Sequence, residues 1–155
     1  MKDKLLNIFI FILIIIFFIL LLYKAGVIKK ENKILDWEKL ISIEFLDMEG
    51  NKIKARTFLE NKENYILVFN ITDCSLCITK GIEELKYFEK KGKNSFGIII
   101  YDRPEEIKGW SSNYSFNRFY IITKEKYYKI FMNKYTPVLI YLYKNRVKWY
   151  KYITP

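Results

Sequence analysis

The 155-residue chain contains no histidine, only two cysteines, and only Ala25 and Ala55 for alanine. Without histidine there is no Ser-His-Asp or Cys-His nucleophile pair and no His-ligated zinc, copper or iron. A c-type haem attachment, which needs CxxCH, is excluded as well. Two cysteines cannot supply a four-thiolate zinc or iron–sulfur site within one chain. Any chemistry must therefore run on Cys, Asp, Glu, Lys or Tyr, and no cofactor is expected. The length allows one domain, large enough to fold without disulfide staples.

Negative charge is scarce at both ends. The net charge of +10 divides into +4 over residues 1–30, −2 over residues 31–117 and +8 over residues 118–155, where Glu125 is the single acid. A basic C-terminal third suits an anionic surface or a solvated lysine-rich strand face. Nucleic acid is not the expected partner. The richness in Ile, Lys, Asn, Tyr and Phe matches AT-rich coding and carries little functional information.

From Leu5 to Tyr23 the one strongly polar side chain is Asn7. As a helix these 19 residues span roughly 28 Å, close to the hydrocarbon thickness of a bilayer. Lys2 and Lys4 precede the run, and Tyr23 and Lys24 follow as an aromatic anchor and a snorkelling amine. A secretory signal has a shorter apolar region and a small-x-small cleavage site, which residues 21–26 do not offer. The expectation is a short tail (1–4), an uncleaved transmembrane anchor (5–23), a charged tether (24–35) and one domain (36–155). The flanking charges nearly balance, so orientation rests on the likeness to an uncut signal sequence, which puts the domain outside the cytoplasm.

Within the domain, Ile41–Phe45 alternates with period two and predicts a strand, with residues 47–52 as a turn and Ile53–Phe58 as a short return strand. The apolar runs Tyr65–Phe69 and Phe96–Tyr101 predict strands covered on both faces. Leu76, Ile78, Ile82, Leu85 and Phe88 form a helical stripe between Cys74 and Lys91. A short helix is expected from Pro104 towards Trp110. Then come a strand at Phe119–Ile122, a helical turn or two at Lys124–Phe131, and a hairpin of Val138–Tyr143 with Val147–Tyr152 across residues 144–146. The order predicts an α/β fold with a mixed central sheet and helices on both faces.

Cys74-Ser75-Leu76-Cys77 falls at the junction of a buried strand and a helix. At this spacing two thiols lie close enough to join, and the first sits among unpaired amides at the positive end of the helix dipole. A thiolate is stabilised there, while the second thiol lies one turn deeper. Dithiol–disulfide exchange, a static structural disulfide and an inert pair are the three readings of such a motif.

Phe45-Leu46-Asp47 with Gly50-Asn51-Lys52-Ile53, Ile66–Phe69 followed by the CxxC, and Thr136-Pro137-Val138-Leu139 together resemble the thioredoxin-like superfamily, specifically its membrane-anchored TlpA/ResA-type branch. The resemblance covers residues 40–153. It implies a thioredoxin-like fold, with Cys74 as nucleophile and Cys77 as resolving thiol. It also implies that Pro137 is cis and that the Thr136 backbone pairs with substrate. Members of that branch reduce or isomerise extracytoplasmic disulfides, which implies protein thiol substrates and an upstream membrane or periplasmic redox partner. Three features depart from the pattern: Asp73 stands where Trp is usual, Val68 stands where Asp or Asn is common as a buried proton acceptor, and no terminal helix is expected after the last strand. Peroxiredoxin chemistry is disfavoured, because its Thr three positions before the cysteine would fall on Ile71. Asp73 is expected to oppose the Cys74 thiolate unless it caps the helix, and folding could bring Lys124, Lys126 or another basic group of the C-terminal third against the sulfur. The rival readings are a non-catalytic interaction module and a basic C-terminal hairpin that docks an anionic surface.

Overall fold

In a computed structural model of the chain, the described residues are 9–19, 34–59, 63–103, 107, 115–132 and 135–155. The chain divides into two units, residues 1–31 and 32–155. In the first unit, residues 9–19 form helix α1, exposed along its whole length. Among the described residues no helix is long and apolar enough to cross a membrane. The remainder of the expected anchor, and the tether up to residue 33, lie outside the described residues.

The second unit holds a seven-stranded sheet in the order β2-β1-β5-β4-β3-β6-β7. Its strands are β1 (Glu44–Leu46), β2 (Lys52–Lys54), β3 (Glu63–Asn70), β4 (Asn94–Tyr101), β5 (Phe119–Thr123), β6 (Val138–Tyr143) and β7 (Arg146–Tyr152). The central strands β3, β4 and β5 are parallel, while β1 joins β5 and β6 joins β3 in antiparallel fashion. Every residue of β4 is buried, as a parallel strand covered on both faces requires.

Period-two alternation sorts the core into two layers. Ile66, Val68, Phe96, Ile98, Ile100, Val138 and Ile140 face the short helices α2 (Trp37–Ser42), α3 (Ala55–Phe58) and α5 (Lys124–Ile130), which contribute Leu40, Phe58, Tyr127 and Ile130. Leu67, Phe69, Ile99, Phe119 and Leu139 face the long helix α4 (Ser75–Lys90), which contributes Cys77, Ile78 and Ile82. Helices thus cover both faces. Gly81 lets α4 approach β3, since a Cβ there would meet Leu67 Cδ1 at 2.6 Å.

Three local expectations need correction. Ile41 and Ser42 end α2, whose start is fixed by Asp36 accepting a hydrogen bond from the Lys39 amide at 3.2 Å, so strand β1 begins only at Glu44. Residues 55–58 form the helical turn α3 in place of a longer return strand. The β6–β7 turn holds two residues, Lys144 and Asn145, with φ of 47° and 63°; this is the left-handed pair that a two-residue hairpin needs. Packing also begins earlier than the expected domain start: Ile34 is buried and Leu35 bridges Phe131. The short helix expected from Pro104 towards Trp110 falls on residues that, apart from 107, lie outside those described.

Candidate active site

Strand β3 ends in a tight tie. The Asn70 amide donates to Asp73 Oδ2 at 2.8 Å, and the Asp73 amide donates back to the Asn70 carbonyl at 3.0 Å. Asn70 Oδ1 accepts from the Thr72 amide at 3.0 Å and from its hydroxyl at 2.9 Å. These bonds turn the chain sharply, and Cys74 becomes the N-cap of α4. Cys74 Sγ accepts the Cys77 amide at 3.4 Å, and the Cys74 carbonyl accepts the first helical bond, from Ile78, at 3.0 Å. Cys74 is exposed and Cys77 is buried.

The sulfurs are therefore unequal. Hydrogen bonding from Cys77, through its thiol and its amide, holds the Cys74 thiol below its ordinary value, with the negative charge of Asp73 acting weakly in opposition. Cys77 is pushed up, first because its thiol donates towards Cys74, then by burial and by the Cys74 charge. Asp73 is not the helix cap. Its carboxylate secures the strand end, and the capping acceptor is the sulfur itself. Neither expected lysine is held for Cys74: Lys124 pairs with Asp102 at 3.3 Å and Lys126 Nζ donates to the Glu44 carbonyl at 3.0 Å.

The β3–β6 register pairs Val68 with Val138, so the 71–74 loop and Thr136-Pro137 lie at the same end of the sheet. The Thr136–Pro137 bond is cis. Pro137 is buried, and its carbonyl accepts the Ile153 amide at 2.9 Å, while Thr136 is half-buried. Val68 lies in the core layer opposite Cys77, so that strand position offers no proton acceptor. Two residues escaped the sequence reading. Lys80, one turn beyond Cys77, favours its thiolate by charge and donates to the Thr154 carbonyl at 3.1 Å. Tyr127 is buried on α5, its hydroxyl pushed up by desolvation first and by charges that include Asp73. Nothing in the spacing around Tyr127 places it within electrostatic reach of Asp73.

No family model and no curated protein sequence matches the chain. Solved structures do. A thiol:disulfide interchange protein from Bacteroides sp. superposes with a TM-score of 0.57 at 17% identity, over 70% of this chain and 76% of that one. A secreted Mycobacterium tuberculosis disulfide oxidoreductase, described as homologous to E. coli DsbE, gives 0.56 at 12% identity, over 76% and 87%. A thiol peroxidase from Chromobacterium violaceum gives 0.50 at 11% identity, over 72% and 71%. The chain thus has a thioredoxin-like fold, a scaffold these proteins share across different thiol chemistries.

The unequal sulfurs give a pH signature. At neutral pH, a thiol alkylating reagent should modify Cys74 and leave Cys77 untouched. Asp73→Asn keeps an acceptor for the Asn70 amide while removing the charge that opposes the thiolate, so it should lower the Cys74 pKa further. An unchanged or raised value would show that the charge does not reach the sulfur. The reduced protein should gain stability as pH rises from the lowered Cys74 pKa towards its ordinary 9.0. It should lose stability above 9.0, as pH climbs through the raised Cys77 pKa.

Proposed function

We propose that the protein is a membrane-anchored, extracytoplasmic thiol–disulfide oxidoreductase that reduces protein disulfides. The observation carrying this reading is the exposed Cys74 sulfur at the N-cap of a 16-residue helix, hydrogen-bonded by the Cys77 amide, with the Cys77 thiol buried behind it. The Cys74 thiolate attacks one sulfur of a substrate disulfide, forming a mixed disulfide and expelling the other sulfur as a thiolate. That step removes the Cys74 charge and the acceptor that held the Cys77 proton, so Cys77 acidifies when its thiolate is needed. Cys77 then attacks Cys74 Sγ and passes its proton to the departing substrate sulfur. A Cys74–Cys77 disulfide remains, and two electrons have reached the substrate. A dithiol partner on the membrane or in the periplasm restores the starting state.

Thr136 and Pro137 are proposed to hold the substrate chain, with the Thr136 backbone pairing to it, and Asp73 to temper the nucleophile. The apolar segment 5–23 is proposed as the anchor, on its length, its flanking residues and the lack of a cleavage site. The full chain should accelerate reduction of insulin disulfides by a small dithiol, and a double Cys→Ser variant should not. It should also stay in the membrane through an alkaline carbonate wash, with residues 36–155 open to protease from the extracytoplasmic side. Sluggish exchange from a pair that resists strong reductant would mark a static disulfide in an interaction module. Release of a shortened form would replace the anchor with a cleaved leader and leave the exchange chemistry standing.

A further inference from the structure

At the end of the sheet opposite Cys74, the α4 face carries a row of half-exposed rings. Tyr65 stacks on Phe88 at 3.7 Å and on Tyr141 at 4.7 Å, and Tyr141 meets Trp149 at 5.6 Å. Trp149 is 37% exposed, and Tyr87 beside Phe88 is 57% exposed. Amines ride on this row: Lys144 and Lys148 lie over Tyr143 at 5.6 and 5.4 Å, and Lys91 over Tyr87 at 5.7 Å. Arg146 stands between Lys144 and Lys148 at the exposed hairpin end. Among the described residues no carboxylate pairs with these four cations.

β7 ends the sheet among the described residues, but its backbone is a poor template for another strand. The register slips between Tyr141 and Leu142, leaving Lys148 as an extra, bulged residue. A bulge and edge lysines are the usual devices against strand addition. What the strand offers is a flat face of tyrosine, tryptophan and lysine. Such rings favour the boundary between water and an apolar phase, and flexible ammonium groups suit mobile anionic headgroups better than a fixed carboxylate geometry.

We infer that this hairpin face docks on an anionic lipid surface and so turns the Cys74 end of the domain away from the bilayer. The inference rests on the proposed anchor. Anchoring in the same bilayer would raise the effective concentration at which a weak patch meets headgroups. The eight residues of β3 then put about 25 Å between the docked end and the 71–74 loop.

The test uses the full chain in nanodiscs of phosphatidylcholine alone or mixed with phosphatidylglycerol, read by hydrogen exchange. Amides of residues 143–150 should exchange at least about fivefold more slowly in the anionic discs, the effect of a single cation near such a surface. The protection should vanish in high salt and in the triple variant Lys144→Glu/Arg146→Glu/Lys148→Glu, with Cys74 alkylation rate and thermal transition unchanged. Equal exchange in the two discs would overturn the inference. Protection by soluble polyglutamate with none from anionic discs would also overturn it, and would assign the face to an acidic polypeptide. Failure to enter phosphatidylcholine discs would instead refute the anchor, and anionic vesicles would still report on the hairpin. Loss of Cys74 reactivity alone would count against the exchange reading.

Discussion

Cys77→Ser should accumulate protein partners in mixed disulfides, and Cys74→Ser should accumulate none. The asymmetry follows from placement. Cys74 is exposed and held below its ordinary pKa, so it is the sulfur expected to reach a substrate as a thiolate. Cys77 is buried one turn into α4, with its pKa raised. Removing Cys74 should therefore lower the exchange rate by orders of magnitude. Removing Cys77 should leave the first attack intact and block release. Trapping by both variants to the same extent would show that the roles are not divided. Trapping by neither would return the pair to a static disulfide or an inert pair.

Gly97→Ala should produce the largest loss of stability for the smallest chemical change. Gly97 lies on β4 opposite Phe119 on β5, and an added Cβ would overlap the Phe119 ring, whose Cε1 is 2.5 Å from the ideal Cβ position. The ring cannot retreat freely, because Phe69 and Phe116 pack edge-on against it at 6.1 and 5.2 Å. Overpacking of this kind costs about 2–3 kcal/mol, or roughly 5–10 °C in Tm for a domain of this size. Phe119→Leu in the same chain should restore part of that loss, because it vacates the space the methyl needs. The double variant should then be more stable than the sum of the single effects by about 1 kcal/mol or more. Additive losses would show that the methyl and the ring do not compete.

The parts of the fold set by burial were legible in the residues. Continuous apolar runs marked β3 and β4, because strands covered on both faces need no polar side, and the 3.6-residue stripe from Leu76 to Phe88 marked α4. The strand–CxxC–helix junction located the candidate site for the same reason. Elements set by a few hydrogen bonds were not legible. Ile41-Ser42-Ile43 alternates like a strand, yet Asp36 caps a helix that runs through Ser42. The role of Asp73 was hidden in the same way. A carboxylate before a helix reads as a cap, whereas its partner is the Asn70 amide behind it and Cys74 takes the capping position. The lysine side chains could not be placed from sequence at all, because long flexible amines go where the fold puts an acceptor, as Lys126 does at the Glu44 carbonyl.

Equilibration of the full chain with glutathione and dithiol redox buffers tests the central claim most directly. A reducing pair should show one reversible two-electron transition between the Cys74/Cys77 dithiol and an internal disulfide, with a midpoint nearer the −270 mV typical of thioredoxin than the −120 mV of strong oxidants, both values being approximate. A pair that stays reduced in mildly oxidising buffer would contradict reduction as the physiological direction, and the absence of any reversible transition would contradict exchange itself.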